Sequence, residues 1–340
     1  MGALNLNFRD AENKLTVPDE GIEAEFSFIE NELSFRDAFL QALQSIRKNT
    51  DKDIVVLFSG GADSQLTEWG FNYLGIKHRV VHQRYLYNGA YLNWEEAQFM
   101  PEETEYQDID VLEFQKSSFF QDIFVKKWPM SVHAAIHCDI KANPETDFLV
   151  SCASPYRTYS WNFEQRPRPD LPAKCNKWLF NCANLWKNFG FADFDYTGVF
   201  YDNGYVTYSL FDDLYKQQAR GLVDKDSSCQ YSKNWEVECK TAFFQHHFPE
   251  VDEKLFPKKY LNKRFPYFNE LVVDEVEGLY QYEIDDEKYK IDCWSQRAYL
   301  GLDIEELFEL IRGGAIFKLG RPWIKHGDEL IIDTRPYHVS

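Results

Sequence analysis

Between Asp53 and Leu74 the chain changes character twice in quick succession, and that stretch limits the folds open to it. Ile54-Val55-Val56-Leu57-Phe58 is an unbroken apolar run rich in β-branched residues. Such a run suits a strand covered on both faces of a parallel sheet. The turn Ser59-Gly60-Gly61-Ala62-Asp63-Ser64 follows, and then a helical segment from Gln65 to Leu74, with Gly75 where a helix commonly stops. Asp63 or Ser64 is expected to cap that helix. The two glycines are expected to take backbone angles closed to other residues and to leave no side chain between backbone and ligand. The first N–H groups of a helix have no internal partner and carry partial positive charge, so the loop is suited to an anion. The competing reading is a tight strand-to-helix turn that uses Gly, Ser and Asp for geometry alone.

The flanking sequence alternates in the same manner. Ser34, with Asp37 three residues on, opens a helix that carries Phe35, Phe39, Leu40, Leu43 and Ile46 on one face. Strands are expected at Lys77–Gln83, Tyr106–Val111 and Phe148–Cys152. Helices are expected at Glu113–Lys127 and Ser131–Lys141, with a short one from Asn93 to Phe99. This is the pattern of an α/β protein with a doubly wound parallel sheet, whose ligands bind at the carboxyl ends of the strands. The strand ends near Ser59, His82 and Cys152 are then the rim of the site. Residues 1–33 read as an N-terminal β arm, 34–159 as the α/β domain, and 160–340 as a mostly helical substrate or partner subdomain. Within 154–170 the aromatic and arginine-rich sequence reads as a long functional loop. Beyond it, helices are expected at 173–188, 208–220 and 303–311, a hairpin at 198–208 around Asp202-Asn203-Gly204, and two short strands around Gly320 and Gly327.

Ser59-Gly60-Gly61-Ala62-Asp63-Ser64, between a strand and a helix, resembles the PP-loop (S-G-G-x-D-S) of the ATP pyrophosphatase superfamily, within the adenine nucleotide alpha-hydrolase-like, or HUP-like, group of Rossmann-like folds. Every fixed position of the signature is matched, and asparagine synthetase-like domains are the nearest in character. The resemblance covers about residues 35–155. It implies ATP and Mg²⁺. The N–H groups of Gly60, Gly61, Ala62, Asp63 and Ser64, with the Ser59 and Ser64 hydroxyls, would hold the β- and γ-phosphates, Val81 and His82 would line the nucleotide site, and Asp63 would hold the metal. It also implies an AMP-forming ligase or amidase-like reaction, in which a small-molecule substrate is adenylated and pyrophosphate leaves. The catalytic set it suggests is Asp63, Arg157, Lys318 and Arg321, with Lys325 near the last two. The pattern departs from asparagine synthetases after the fourth strand. Ser151-Cys152-Ala153-Ser154-Pro155-Tyr156-Arg157 has no carboxylate where those enzymes carry an acidic segment, and Gly2 stands where a glutaminase would have its cysteine. An ammonia-supplying partner or a homo-oligomer is therefore among the expected partners.

Composition excludes other classes. The formal net charge is −18, which opposes extended contact with a nucleic-acid backbone. No Walker A loop occurs. Seven cysteines, odd in number and without a C-x-x-C pair, point to a reduced, cytoplasmic protein without a zinc ribbon. No apolar run approaches a membrane span, and no signal peptide is apparent. His133 and His137 are four apart but lack the glutamate of a zinc protease, and Cys175 and Cys182 read as buried on the 173–188 helix. Two alternatives stay open. One is a phosphoadenylyl-sulfate reductase-like enzyme, of whose C-terminal signature only Glu238-Cys239 is an echo. The other is a non-catalytic nucleotide-binding or interaction protein that retains the loop.

Overall fold

The computed structural model describes residues 22–25, 32–87, 89–91, 100–118, 139–152, 156–162, 174–181, 193–200, 203–215 and 242–251, and short strands between 281 and 338. The chain enters with strand β1 (Ile22–Glu25) and helix α1 (Phe35–Asn49). The Ser34 hydroxyl accepts from the Asp37 N–H at 3.1 Å and donates to the Asp37 carboxylate at 2.7 Å, so the expected cap is present. The face built from Phe35, Ala38, Phe39, Ala42, Leu43 and Ile46 is buried.

The central sheet comprises β2 (Asp53–Leu57), β3 (His78–Tyr87), β5 (Thr104–Asp110), β6 (Asp147–Ser151) and β9 (Asp195–Gly198), all parallel, in the order β5-β3-β2-β6-β9. The two-residue strand β4 (Ala90–Tyr91) folds back antiparallel on the end of β3. In chain order the five parallel strands lie third, second, first, fourth, fifth, the arrangement of a doubly wound sheet whose order reverses between β2 and β6. Ile54, Val55 and Val56 are wholly buried because β2 is central and covered on both faces, whereas β5 buries Gln107 and Ile109 in alternation. At the amino edge Arg79 of β3 forms a two-pronged ion pair with Glu105 of β5 (2.8 and 2.9 Å) and reaches Asp147 of β6 at 3.2 Å.

Helix α2 (Ala62–Tyr73) follows β2 and packs on α1. It ends with Gly75 at φ +63°, where the Ile76 N–H bonds to the Phe71 carbonyl and the Gly75 N–H to the Asn72 carbonyl. Only a residue free of a Cβ takes that left-handed position without strain, so the stop expected from sequence is realised. Phe35 and Phe39 of α1 meet Phe200, Phe244 and Phe248 at 5.6–6.0 Å between centroids. That cluster joins the helix at 242–247 to the sheet domain. No helix among the described residues is long and apolar enough to cross a membrane.

Several expectations are corrected. Tyr156–Asn162 (β7), inside the expected loop, is a strand paired antiparallel with β8 (Lys174–Asn181), and β8 replaces the helix expected at 173–188. Strand β12 (Arg297–Leu300) completes that sheet. Partners remote in sequence decided this, since local periodicity carries no information about pairing. The expected hairpin at 198–208 is instead the end of β9 followed by helix α4 (Gly204–Ser209; α3 is Val111–Lys116), capped by Asn203, whose side chain accepts from the Tyr205 and Val206 N–H groups at 3.1 Å. Asn suits a turn and a cap equally, and the burial of Val206, Thr207 and Leu210 selects the cap. A π-helical turn, Leu210–Tyr215, continues from α4. Most of the segment 160–340, expected as a mostly helical subdomain, lies outside the described residues; those described include the strands β10 (Gln281–Ile284), β11 (Glu287–Ile291), β13 (Ile316–Leu319), β14 (Ile324–His326), β15 (Glu329–Ile332) and β16 (Tyr337–His338). The N-terminal arm contributes β1, which pairs with β13. The helices expected at 93–99 and 303–311, His133, His137, Cys182 and residues 131–138 of the helix expected at 131–141 lie outside the described residues, and 139–141 are not helical.

Candidate active site at the sheet switch point

The turn 59–64 leaves the carboxyl end of β2, beside the point where strand order reverses. Helix α2 begins three residues earlier than expected. Gly61 is its N-cap, and neither Asp63 nor Ser64 caps it; both lie in its first turn. The first turn closes through the Gln65 N–H on the Gly61 carbonyl at 3.0 Å and the Ser64 hydroxyl on the same carbonyl at 2.9 Å. No side chain caps the helix, so its amino end is open to an anion.

The glycines play unequal parts. Gly60 has φ +77° and needs the freedom that only glycine has. Gly61, at φ −77° and ψ 165°, adopts an ordinary extended conformation, contrary to expectation. A Cβ there would meet only the Ser59 hydroxyl, at 3.4 Å. What the missing side chain at Gly61 preserves is therefore space at the helix end.

The side chains divide between site and scaffold. Ser59 is half-buried, its hydroxyl 3.4 Å from that of Ser64 and accepting weakly from the Gly61 N–H at 3.4 Å. Ser64 is buried and spends its hydroxyl on the loop, so what it can offer an anion is its backbone N–H. Val81 is buried, and its carbonyl accepts from the Phe58 N–H at 2.9 Å. His82 is also buried. Its Nδ1 lies 2.8 Å from the Phe58 carbonyl, which can only accept, so Nδ1 carries the proton. Because β3 runs on to Tyr87, His82 sits beside the end of β2, within its own strand. Val81 and His82 thus brace the strand that launches the loop.

Across the switch point, Cys152 follows β6 and is buried. Burial pushes its thiol up to about 12; a hydrogen bond with Thr67 opposes that rise, and the nearby Asp63 charge adds to it. Thr67 also donates to the Asp63 carbonyl at 2.9 Å. Asp63, Thr67 and Cys152 therefore meet beside the carboxyl end of β6. With its pKa raised, the Cys152 thiol is neutral near pH 7, and it is then neither a nucleophile nor a ligand for a hard cation. Among the described residues no cluster of three His, Cys, Asp or Glu could hold a metal ion.

Arg157 lies on β7, opposite Leu179 of β8, and Lys318 on β13, opposite Glu23 of β1 and Tyr337 of β16. Neither strand belongs to the central sheet. Arg321 and the residues after Cys152 up to Pro155 lie outside the described residues.

Sequence reasoning missed Gln65 and Thr67. Gln65 is 4% exposed; its Nε2 donates to the Gly60 carbonyl at 2.6 Å, and its Oε1 has no hydrogen-bond partner among the described residues. An unsatisfied buried acceptor costs about 1–3 kcal/mol, so packing alone does not account for a glutamine here. The available signal was three polar side chains within four residues, Ser64, Gln65 and Thr67, in the first turns of a helix flanking a buried strand. No protein family matches the chain, and no curated protein matches it either.

Proposed function

We propose that this protein binds ATP at the 59–64 loop and uses it to adenylate a small-molecule substrate with release of pyrophosphate, as its resemblance to the PP-loop and HUP-like folds suggests. The single observation that carries the reading is the position of Ser59-Gly60-Gly61-Ala62-Asp63-Ser64. It lies at the carboxyl end of the first strand of a doubly wound sheet, at the reversal of strand order, against an uncapped helix end left open by Gly61.

The residues fit a triphosphate. The N–H groups at the start of α2 bind the β- and γ-phosphates as one unit, and Ser59 adds a hydroxyl. An oxygen of the substrate attacks the α-phosphorus, and the bond from that phosphorus to the bridging oxygen breaks. The electron pair leaves on pyrophosphate, where the helix end and the loop amides stabilise the developing charge. A second nucleophile, such as ammonia, then displaces AMP from the adenylated substrate. No lysine stands in the loop to follow a transferring γ-phosphoryl group, which favours attack at the α-phosphorus over a kinase reaction. Asp63 is the residue here that would hold Mg²⁺, and the ion when bound supplies charge neutralisation on the phosphate oxygens.

Calorimetry with MgATP tests binding. The wild type is expected to bind, and Asp63→Asn to bind more weakly while melting at a similar temperature. Labelled ATP, incubated with a panel of carboxylates and ammonia, is expected to yield AMP and pyrophosphate; accumulation of ADP would refute the α-phosphorus assignment. A second reading, a nucleotide-binding protein without turnover, is favoured by the neutral Cys152 in place of an acidic ligand. Its signature is MgATP binding with neither product.

A further inference from the structure

We infer that Gln65 is a positioning residue, which sets the direction of the loop N–H groups that face the phosphates; this rests on the nucleotide reading above. The argument is one of peptide planes. No cis peptide bond occurs among the described residues, and in a trans peptide the C=O and the following N–H point in opposite directions. The Gln65 Nε2 holds the Gly60 carbonyl at 2.6 Å. The Gly61 N–H of that same peptide is thereby turned away from Gln65, to the side of the Ser59 hydroxyl, which it meets only weakly at 3.4 Å. The Gln65 backbone N–H and the Ser64 hydroxyl hold the Gly61 carbonyl in turn, at 3.0 and 2.9 Å, which turns the Ala62 N–H away from the helix interior. Gln65 thus grips two successive carbonyls, one with its side chain and one with its backbone. Among the described residues no other side chain donates to the Gly60 carbonyl, and Gly60 is the residue held at φ +77°. The orphaned Oε1 fits this role, since the amide is oriented for its donor while its acceptor goes unmet.

The test uses the full chain and Gln65→Met, which keeps the length of the side chain and removes the donor. This variant trades one unmet buried acceptor, Oε1, for another, the Gly60 carbonyl, so its Tm is expected to stay close to that of the wild type. In the ligand-free protein the ¹H–¹⁵N resonances of Gly61 and Ala62 are expected to move. MgATP affinity is expected to fall by about tenfold, the factor supplied by one well-made hydrogen bond. Gln65→Glu provides the second arm. A carboxyl group donates only when protonated, so its Gly61 and Ala62 resonances should titrate, and its affinity relative to wild type should fall as pH rises. Unmoved loop amides in Gln65→Met, or wild-type affinity in that variant, would overturn the inference. So would a large drop in Tm accompanied by unmoved loop amides, which would make Gln65 a core residue. A wild type that fails to bind MgATP would overturn the nucleotide reading, while the ligand-free spectra still decide whether Gln65 orients the loop.

Discussion

Gly70 of α2 lies so close to Leu43 of α1 that a methyl group on it would sit 2.5 Å from the Leu43 Cδ1, and 3.0 Å from the Phe39 ring. Both neighbours are wholly buried. Alanine would favour the helix by about 1 kcal/mol. Overpacking a core typically costs about 1–3 kcal/mol, and here the obstruction has two contacts and no free surface to move into. Packing should therefore outweigh propensity, and Gly70→Ala is expected to lower the urea midpoint. A raised midpoint would show that α1 and α2 separate freely.

The two loop glycines should respond differently to alanine. Gly60→Ala forces a Cβ into a left-handed conformation, which costs about 1–2 kcal/mol, and should lower Tm. Gly61→Ala meets no backbone strain and one hydroxyl at 3.4 Å, so its Tm should be close to wild type. Both should weaken MgATP binding, Gly61→Ala by occupying the space of the phosphates. Equal losses of Tm in the two variants would contradict the conformations assigned to them.

Cys152 should be inert in the native protein. Its thiol is pushed up to about 12, chiefly by burial, so thiolate is scarce at neutral pH. Iodoacetamide at pH 8 followed by peptide mass mapping is expected to leave Cys152 unmodified until the protein is denatured. The stability linkage has a definite sign. The folded value lies above the unfolded value of about 8.5, so the stabilising effect is complete below that pH and is lost as pH rises towards the folded value. Cys152→Ala should lose less stability than wild type on going from pH 8 to pH 11.

On the acid side the surface ion pairs determine the trend. Hydrogen bonds from Arg79, Arg84 and Arg36 hold the Glu105, Asp108 and Glu250 carboxyls below their ordinary range. Depressed folded values give stability that is complete above the unfolded values, near 4, and is lost as pH falls through the folded ones. These groups are well exposed, so solvent screening limits each pair to about 1 kcal/mol or less. The urea midpoint should drop between pH 5 and pH 3, and Arg84→Gln should reduce that drop. An unchanged pH response in Arg84→Gln would remove its pair with Asp108 from the account.

Features that depend on a few neighbouring residues were legible along the chain. Ser34 and Asp37 form a cap within one turn of chain, Gly75 ends α2 in the left-handed region, and the apolar run after Asp53 is a buried strand. The loop 59–64 was legible for the same reason, since strand, glycines and helix are contiguous. What lies beside it was settled by the pairing of distant strands. Cys152 reaches Thr67 and the vicinity of Asp63 because β6 pairs with β2, a partnership between segments roughly ninety residues apart that no local pattern encodes. The same is true of Lys174–Asn181, which is a strand because Tyr156–Asn162 and Arg297–Leu300 pair with it. The role of Gln65 depends on its amide reaching the Gly60 carbonyl, and a helix-start glutamine carries no mark in the chain of what it holds. Backbone caps and turns are satisfied within a few residues, whereas strand pairing and buried hydrogen bonds are settled by whichever distant segment supplies the matching group.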